Sequence, residues 1–289
     1  MKEITILSGK GGTGKTSLTA CLALLAERPV IADCDVDAAD LHLILSPEVK
    51  EMHDFVSGSE AKINSALCDN CGACVKLCRF GAITKKDEVC VVDPLSCEGC
   101  GVCYAFCPQK AVEFTPRTCG QWMVSATRGG PMVHARLGIA AENSGRLVTL
   151  VRQEATKIAK EKGHDLILVD GPPGIGCPVI ASLSNTDLAL IITEPTLSGL
   201  HDLKRLLDLT SHFDTPTALC VNKWDIAPEI TATIEETARQ AGSTILGRIR
   251  YDSSVTKAQN QAKAVIETDS PCNEDIRNIW NNLQKEYLS

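Results

Sequence analysis

The stretch Gly9-Lys10-Gly11-Gly12-Thr13-Gly14-Lys15-Thr16 decides the fold of this chain. It fits G-x-x-x-x-G-K-[ST], the pattern of a phosphate-binding loop, with Gly9, Gly14, Lys15 and Thr16 in the fixed places. A short apolar strand, Ile4 to Leu7, precedes it and an apolar helical stretch, Thr16 to Ala26, follows, so strand, loop and helix arrive in the order the motif requires. The glycines let backbone N–H groups turn toward phosphates, and the helix N-terminus adds the positive end of its dipole. Lys15 neutralises phosphate charge and Thr16 offers a hydroxyl to Mg²⁺. The expected nucleotide-binding set is Gly9, Lys10, Gly11, Gly12, Thr13, Gly14, Lys15, Thr16 and Ser17.

Working outward, four more apolar runs read as buried strands. Pro29 to Ala32 ends in Asp33, Cys34, Asp35, Val36, Asp37, and Leu166 to Val169 ends in Asp170, Gly171, Pro172, Pro173, Gly174. Leu188 to Thr193 is followed by Glu194, Pro195, Thr196, and Thr217 to Val221 by Asn222, Lys223, Trp224, Asp225. An acid at the C-terminal tip of such a strand, facing the loop, is placed to hold a metal-bound water. Aspartate is also common at strand ends and turns, so each acid alone has a purely structural reading. Strands alternating with helix-like stretches imply an α/β fold with a mostly parallel sheet covered by helices on both faces.

Lys10, placed directly after Gly9, separates this loop from an ordinary one. With it the chain resembles the deviant Walker A P-loop ATPases, the group of MinD, ParA, Mrp and the nitrogenase iron protein. The resemblance implies that Lys10 reaches across a dimer to the partner's ATP; a solvated loop lysine is the alternative. It implies that Asp35 positions or activates the attacking water, that Asp33 and Asp170 stand near Mg²⁺, directly or through water, and that Asn222 reads adenine. The catalytic set is then Lys10, Lys15 and Asp35, the ligands are ATP and Mg²⁺, and the active unit is a homodimer or a pair with a similar subunit.

Between residues 62 and 115 the pattern changes. Cys68, Cys71, Cys74 and Cys78 form C-x-x-C-x-x-C-x-x-x-C, and Cys97, Cys100, Cys103 and Cys107 repeat it, with Pro108 following. This spacing resembles the bacterial two-cluster ferredoxins, whose fourth cysteine in each run ligates the other cluster. Carried over, one [4Fe–4S] cluster takes Cys68, Cys71, Cys74 and Cys107, and the other Cys97, Cys100, Cys103 and Cys78. Disulfides or two zinc sites are the competing readings. Arg79 stands where the first run of such ferredoxins has proline. The expected organisation is a discontinuous ATPase domain, 1–61 and 116–289, with a small inserted α+β ferredoxin-like domain, 62–115, in which the apolar pairs Ala82-Ile83 and Ala111-Val112 pack over the clusters.

Composition bounds the rest. The 289 residues suffice for one α/β domain plus a small module, and fifteen cysteines with no signal-peptide pattern point to metal ligation in a reducing, cytoplasmic setting. A net charge of −7 disfavours nonspecific nucleic-acid binding. Near the C-terminus Ile276, Ile279, Trp280, Leu283 and Tyr287 share one helical face, while Glu274, Asp275 and Glu286 outnumber Arg277 and Lys285. That charge balance favours core packing over a membrane anchor. Gly120 to Arg136 reads as a strand pair about a glycine turn, in which His134 is a structural residue or a lone ligand and Arg128 meets an anionic partner or solvent. Cys21 and Cys220 read as core fillers; Cys34 lies inside the run Asp33 to Asp37 and Cys177 just beyond the run Asp170 to Gly174, as buried thiols or as groups at a dimer face.

Together these readings lead to an expected function in which an ATP-driven switch gates electron transfer through the two clusters to a redox partner protein. The alternative is an iron–sulfur or metal-cofactor assembly ATPase resembling Mrp-type proteins, delivering to a client protein.

Overall fold

The computed structural model describes residues 1–138 and 144–288. The chain divides into two compact units, one of Met1–His53, Trp122–Leu137 and Asn143–Ser289, the other of Asp54–Gln121 with Gly138–Glu142.

In the first unit the chain begins with β1 (Lys2–Ser8), α1 (Lys15–Leu25), β2 (Val30–Asp33) and α2 (Leu41–Leu45). It leaves along β3 (Glu48–Ile63). The second unit carries α3 (Ala73–Leu77), β4 (Ile83–Lys86), β5 (Val89–Val92) and α4 (Val102–Ala105), and the chain returns along β6 (Val112–Thr127). Then follow β7 (Gly130–Leu137), α5 (Ser144–Lys162), β8 (Leu166–Pro173), α6 (Cys177–Leu183), β9 (Leu188–Thr193), α7 (Leu197–His212) and β10 (Thr217–Asn222). The last elements are α8 (Pro228–Gln240), β11 (Thr244–Ile249), α9 (Ser254–Gln259) and α10 (Cys272–Leu283).

The main sheet runs β11-β10-β9-β1-β8-β2-β7-β6-β3. The pairs from β11 through β7 are parallel, with Ile4 opposite both Leu168 and Leu188, and Asp33 opposite Asp170. Period-two alternation splits each central strand between two cores. Ile4 and Ile6, Leu188, Leu190 and Ile192, and Ala218 and Cys220 pack with α1, α2 and α10. On the opposite side Leu7, Ala189 and Ile191, and Leu219 and Val221 pack with α6, α7 and α8. Such strands, buried on both faces, are near-continuous apolar runs, which is why five of them were readable. Cys21 and Cys220 lie in the first core, as expected of fillers.

On α10, Ile276, Ile279, Trp280 and Leu283 are buried in that same core, and Tyr287 Oη donates to Thr244 Oγ1 at 2.9 Å. The amphipathic face thus packs inward. The turn at Arg128-Gly129 joins β6 to its sheet neighbour β7.

In the second unit β4 and β5 form an antiparallel pair, Ile83 opposite Val92. Its core is Ala61, Ile83, Cys90 and Val112 with the cysteines around them. Ala82 and Ala111 are buried beside Ile83 and Val112.

Candidate nucleotide site

At the C-terminal end of β1 the loop passes directly into α1. Gly14 sits at the helix start with φ 95°. A side chain there would be strained and would overlap the Asn222 amide. A Cβ on Gly9 would overlap the Asp202 side chain on α7. Both glycines are therefore demanded by close approach, and the N–H groups opening α1 stay free for phosphate oxygens.

Lys15 is buried among carboxylates, its Nζ 2.9 Å from Asp170 Oδ1 and 3.4 Å from Asp35 Oδ2. Burial alone would lower its pKa, but Asp170 and Asp35 outweigh burial and hold the ammonium above the ordinary lysine value. Asp170 is fully buried and also accepts from Thr16 Oγ1 at 2.8 Å and Thr19 Oγ1 at 2.9 Å. Thr19 was missed in the sequence; its signal is the position one helical turn after Lys15, whose carbonyl it also bonds at 3.0 Å.

Asp33 and Asp35 leave the end of β2 beside this group. Asp33 is fully buried and its carboxyl is pushed well above the usual range by burial and by Asp170, against the pull of Lys15. Its Oδ2 has no hydrogen-bond partner. Asp35 is also raised, by burial first, with Lys15 opposing. A P-loop Mg²⁺ draws most of its ligands from phosphate and water, with one hydroxyl or carboxylate from the protein. The Thr16 hydroxyl and an unsatisfied carboxylate oxygen fit that demand. Among the described residues no group of three or more His, Cys, Asp or Glu gathers closely enough to hold a metal ion unaided.

Above the loop opens a cavity of about 610 Å³, lined by residues 11–18, Asp35, Asn222, Lys223 and the segment Arg250–Asp252 among others. Asn222 donates from Nδ2 to the Thr13 carbonyl at 2.7 Å and accepts from Lys223 N at 3.0 Å. Asp225 accepts from Tyr251 N at 2.7 Å and so ties the 250–252 segment to the end of β10. Gln259 Nε2 reaches Ser17 Oγ at 2.8 Å.

Lys10 points back onto its own chain, 2.5 Å from Glu194 Oε1 and 3.2 Å from Ser198 Oγ. Neither partner had been given a role from the sequence. Of the other residues singled out, Arg128 is bidentate to Glu267 and donates to the carbonyls of Ile44 and Ala262, so it ties the β6–β7 turn to α2 and to the segment after α9. His134 bonds Ser125 Oγ at 2.8 Å through Nε2, and burial lowers its pKa to about 4. Cys34 is buried and Cys177 exposed.

Within the second unit, two small cavities are each lined by four of the eight spaced cysteines. Cys68, Cys71, Cys74 and Cys107 share one, and Cys78, Cys97, Cys100 and Cys103 the other. Neither cavity wall includes a histidine.

The model of the CobQ/CobB/MinD/ParA nucleotide binding domain matches residues 4–265. An uncharacterised protein of Methanocaldococcus jannaschii is 31% identical over 289 residues, 99% of this chain and 97% of that protein. The septum site-determining protein MinD of Bacillus subtilis is 24% identical, over 91% of this chain and 81% of its own. Among solved structures, the Pyrococcus furiosus cell division ATPase MinD superposes with a TM-score of 0.58 at 18% identity, covering 98% of both chains. MinD of Pyrococcus horikoshii, solved with Mg-ADP, gives 0.56 at 18% identity over 99% of this chain and 96% of its own. At such identities the likeness is one of fold, an α/β P-loop NTPase.

These likenesses overturn the function expected from the cysteine runs. ATP-gated electron transfer, with cofactor assembly as its alternative, does not stand: the nucleotide-binding family model spans the cysteine region, the three MinD relatives carry cell-division names, and the chain is comparable to them in size. The expectation gave the eight cysteines the deciding weight, although spacing specifies what a site can hold and not what the protein is for. By its P-loop, its sheet order and the match over residues 4–265, the chain belongs to the CobQ/CobB/MinD/ParA nucleotide-binding family.

Proposed function

We propose that this chain is a Mg²⁺-dependent ATPase of the MinD/ParA kind, whose nucleotide state switches its pairing with a second copy and its docking to a protein partner, as in cell-division or partitioning systems. The observation that carries this reading is the buried Lys15–Asp170–Thr16–Thr19 network with Asp35 beside it. Lys15 takes the β and γ phosphates, and Thr16 turns its hydroxyl from Asp170 to Mg²⁺. Asp35 is 8% exposed and only 3.4 Å from Lys15; it orients the attacking water. Asp33 and Asp170 hold water around the ion, Asn222 faces the base while pinning the loop at Thr13, and Lys10 serves the nucleotide of the facing copy.

The second unit contains, in this proposal, a ferredoxin-like domain, 62–115, holding two [4Fe–4S] clusters, one on Cys68, Cys71, Cys74 and Cys107 and the other on Cys97, Cys100, Cys103 and Cys78. The gathering of four of these cysteines at each of the two cavities supports it. A cubane spreads its four thiolates more widely than a single ion does, so a site for it need not resemble a one-metal site. When bound, the clusters supply cross-links to a unit with a small apolar core.

Anaerobically purified protein tests both parts. Mg²⁺-dependent ATP hydrolysis is expected, lost in Lys15→Ala, while Asp35→Ala binds ATP, does not turn over and accumulates the paired form in sedimentation. Turnover that survives Lys15→Ala, or an Asp35→Ala chain that stays single with Mg·ATP, overturns the switch. Metal analysis is expected to find about eight iron and eight sulfide per chain; zinc in their place overturns the clusters.

A further inference from the structure

Glu194 stands at the end of β9, just before Thr196, whose hydroxyl caps α7 by accepting from Gly199 N at 2.9 Å. Its side chain is 16% exposed and carries two lysines at once. Oε1 takes Lys10, and Oε2 takes Lys223 Nζ at 3.2 Å. Lys223 Nζ in turn reaches the Gly12 carbonyl at 3.3 Å, and Ser198 Oγ accepts from Lys10 at 3.2 Å. Burial would raise the Glu194 carboxyl, but Lys10 and Lys223 outweigh it and keep it below the usual range, so it is charged at neutral pH.

We propose that Glu194 is the positioning residue of Lys10: it stores the ammonium against its own chain while the copy is single, and its release sets how much ATP is needed before two copies pair. This rests on the proposed role of Lys10 toward a facing copy. A lysine held in cis cannot meet a phosphate in trans. The nucleotide of the second copy competes for Lys10 with more negative charge than one carboxylate offers. Lys223 then has a clear purpose. When Lys10 leaves, Glu194 keeps one cation and is not stranded as a half-buried lone charge, so the exchange is cheap and reversible. Ser198, a neutral partner, adds direction without adding charge.

The test titrates a non-hydrolysable ATP analogue with Mg²⁺ against the full chain, reading pairing by sedimentation and analogue affinity separately at dilutions where no pairs form. Glu194→Gln is expected to lower the analogue concentration at half-pairing about five-fold, the worth of one partly exposed ion pair, with dilute-chain affinity changed less than about two-fold. Glu194→Asp restores the wild-type midpoint. Ser198→Ala, which keeps every charge and guards against a misfolded Glu194→Gln, moves the midpoint the same way by about two-fold. An unchanged or higher midpoint in Glu194→Gln and Ser198→Ala, or a dilute-chain affinity that moves in parallel, overturns the proposal. Lys10→Ala separates the two readings: if it pairs and hydrolyses like wild type, the trans role itself fails, whereas lost turnover with an unmoved Glu194→Gln midpoint removes only the storage role.

Discussion

Lys15 neutralises a site that would otherwise hold three clustered aspartates. Its removal leaves Asp170 and Asp35 buried without their cation, so Lys15→Ala is expected to cost about 3–5 kcal/mol in urea unfolding, in addition to abolishing nucleotide binding. A cost below about 1 kcal/mol would show that water already carries those charges. Asp33 gives the same cluster a pH signature. Burial, then Asp170, raises its carboxyl in the folded chain. The folded state thus holds that proton more tightly than the unfolded state does. Its contribution is complete below the unfolded value of about 4 and drains away as pH rises through the raised folded value. Asp33→Asn, which cannot ionise, should flatten the fall in stability above pH 4, and two parallel curves would remove the assignment. At this scale the P-loop was legible because its chemistry fixes residue types at fixed spacing. Glu194 and Thr19 were not, because each acts through a side chain brought to it by the fold, and nothing in Thr193-Glu194-Pro195 announces which lysines will arrive.

Buried elements declared themselves and exposed ones did not. Residues 188–193 read as a strand and form one over those same residues, since both faces are covered and every position before Thr193 is apolar. The sixteen-residue β3 went unread: from Glu48 to Asp54 every residue is exposed, and the alternation that begins at Phe55 and Ser57 is too short and too polar to stand out in a strand at the end of the sheet order. The helix α10 was legible for the opposite reason, a clear apolar stripe over an acidic face. Its Trp280 is 6% exposed and packs in the core shared with α1. Trp280→Ala is expected to destabilise the chain by about 3–5 kcal/mol in thermal or urea unfolding. A loss under about 1 kcal/mol would mean that the stripe is free to leave the core and serve another surface.

For the whole molecule, the family was written in the first sixteen residues, whereas the purpose was not, since the cysteine runs supplied the sharper pattern and drew the functional reading away from the larger unit. The two units are expected to differ in what holds them together. The first is built on two extended apolar cores, and the second on a small cluster in which Ala61, Ile83 and Val112 sit among cysteines. On the proposal that this unit holds two clusters, stripping iron from the full chain with a chelator under reducing conditions should abolish hydrogen-exchange protection across residues 54–121 while β1, β8 and β9 keep theirs. Protection lost evenly along the chain would contradict that division. The position of β1 has a further consequence, for synthesis. It is made long before the strands that flank it, which begin at Leu166 and Leu188, so its edges stay unpaired until residues 166–193 have been translated. A nascent chain carries the complete loop Gly9–Thr16 long before it carries Asp170 to answer Lys15. Truncated products should therefore be unable to retain nucleotide, and an unfinished copy cannot enter a pair with a finished one.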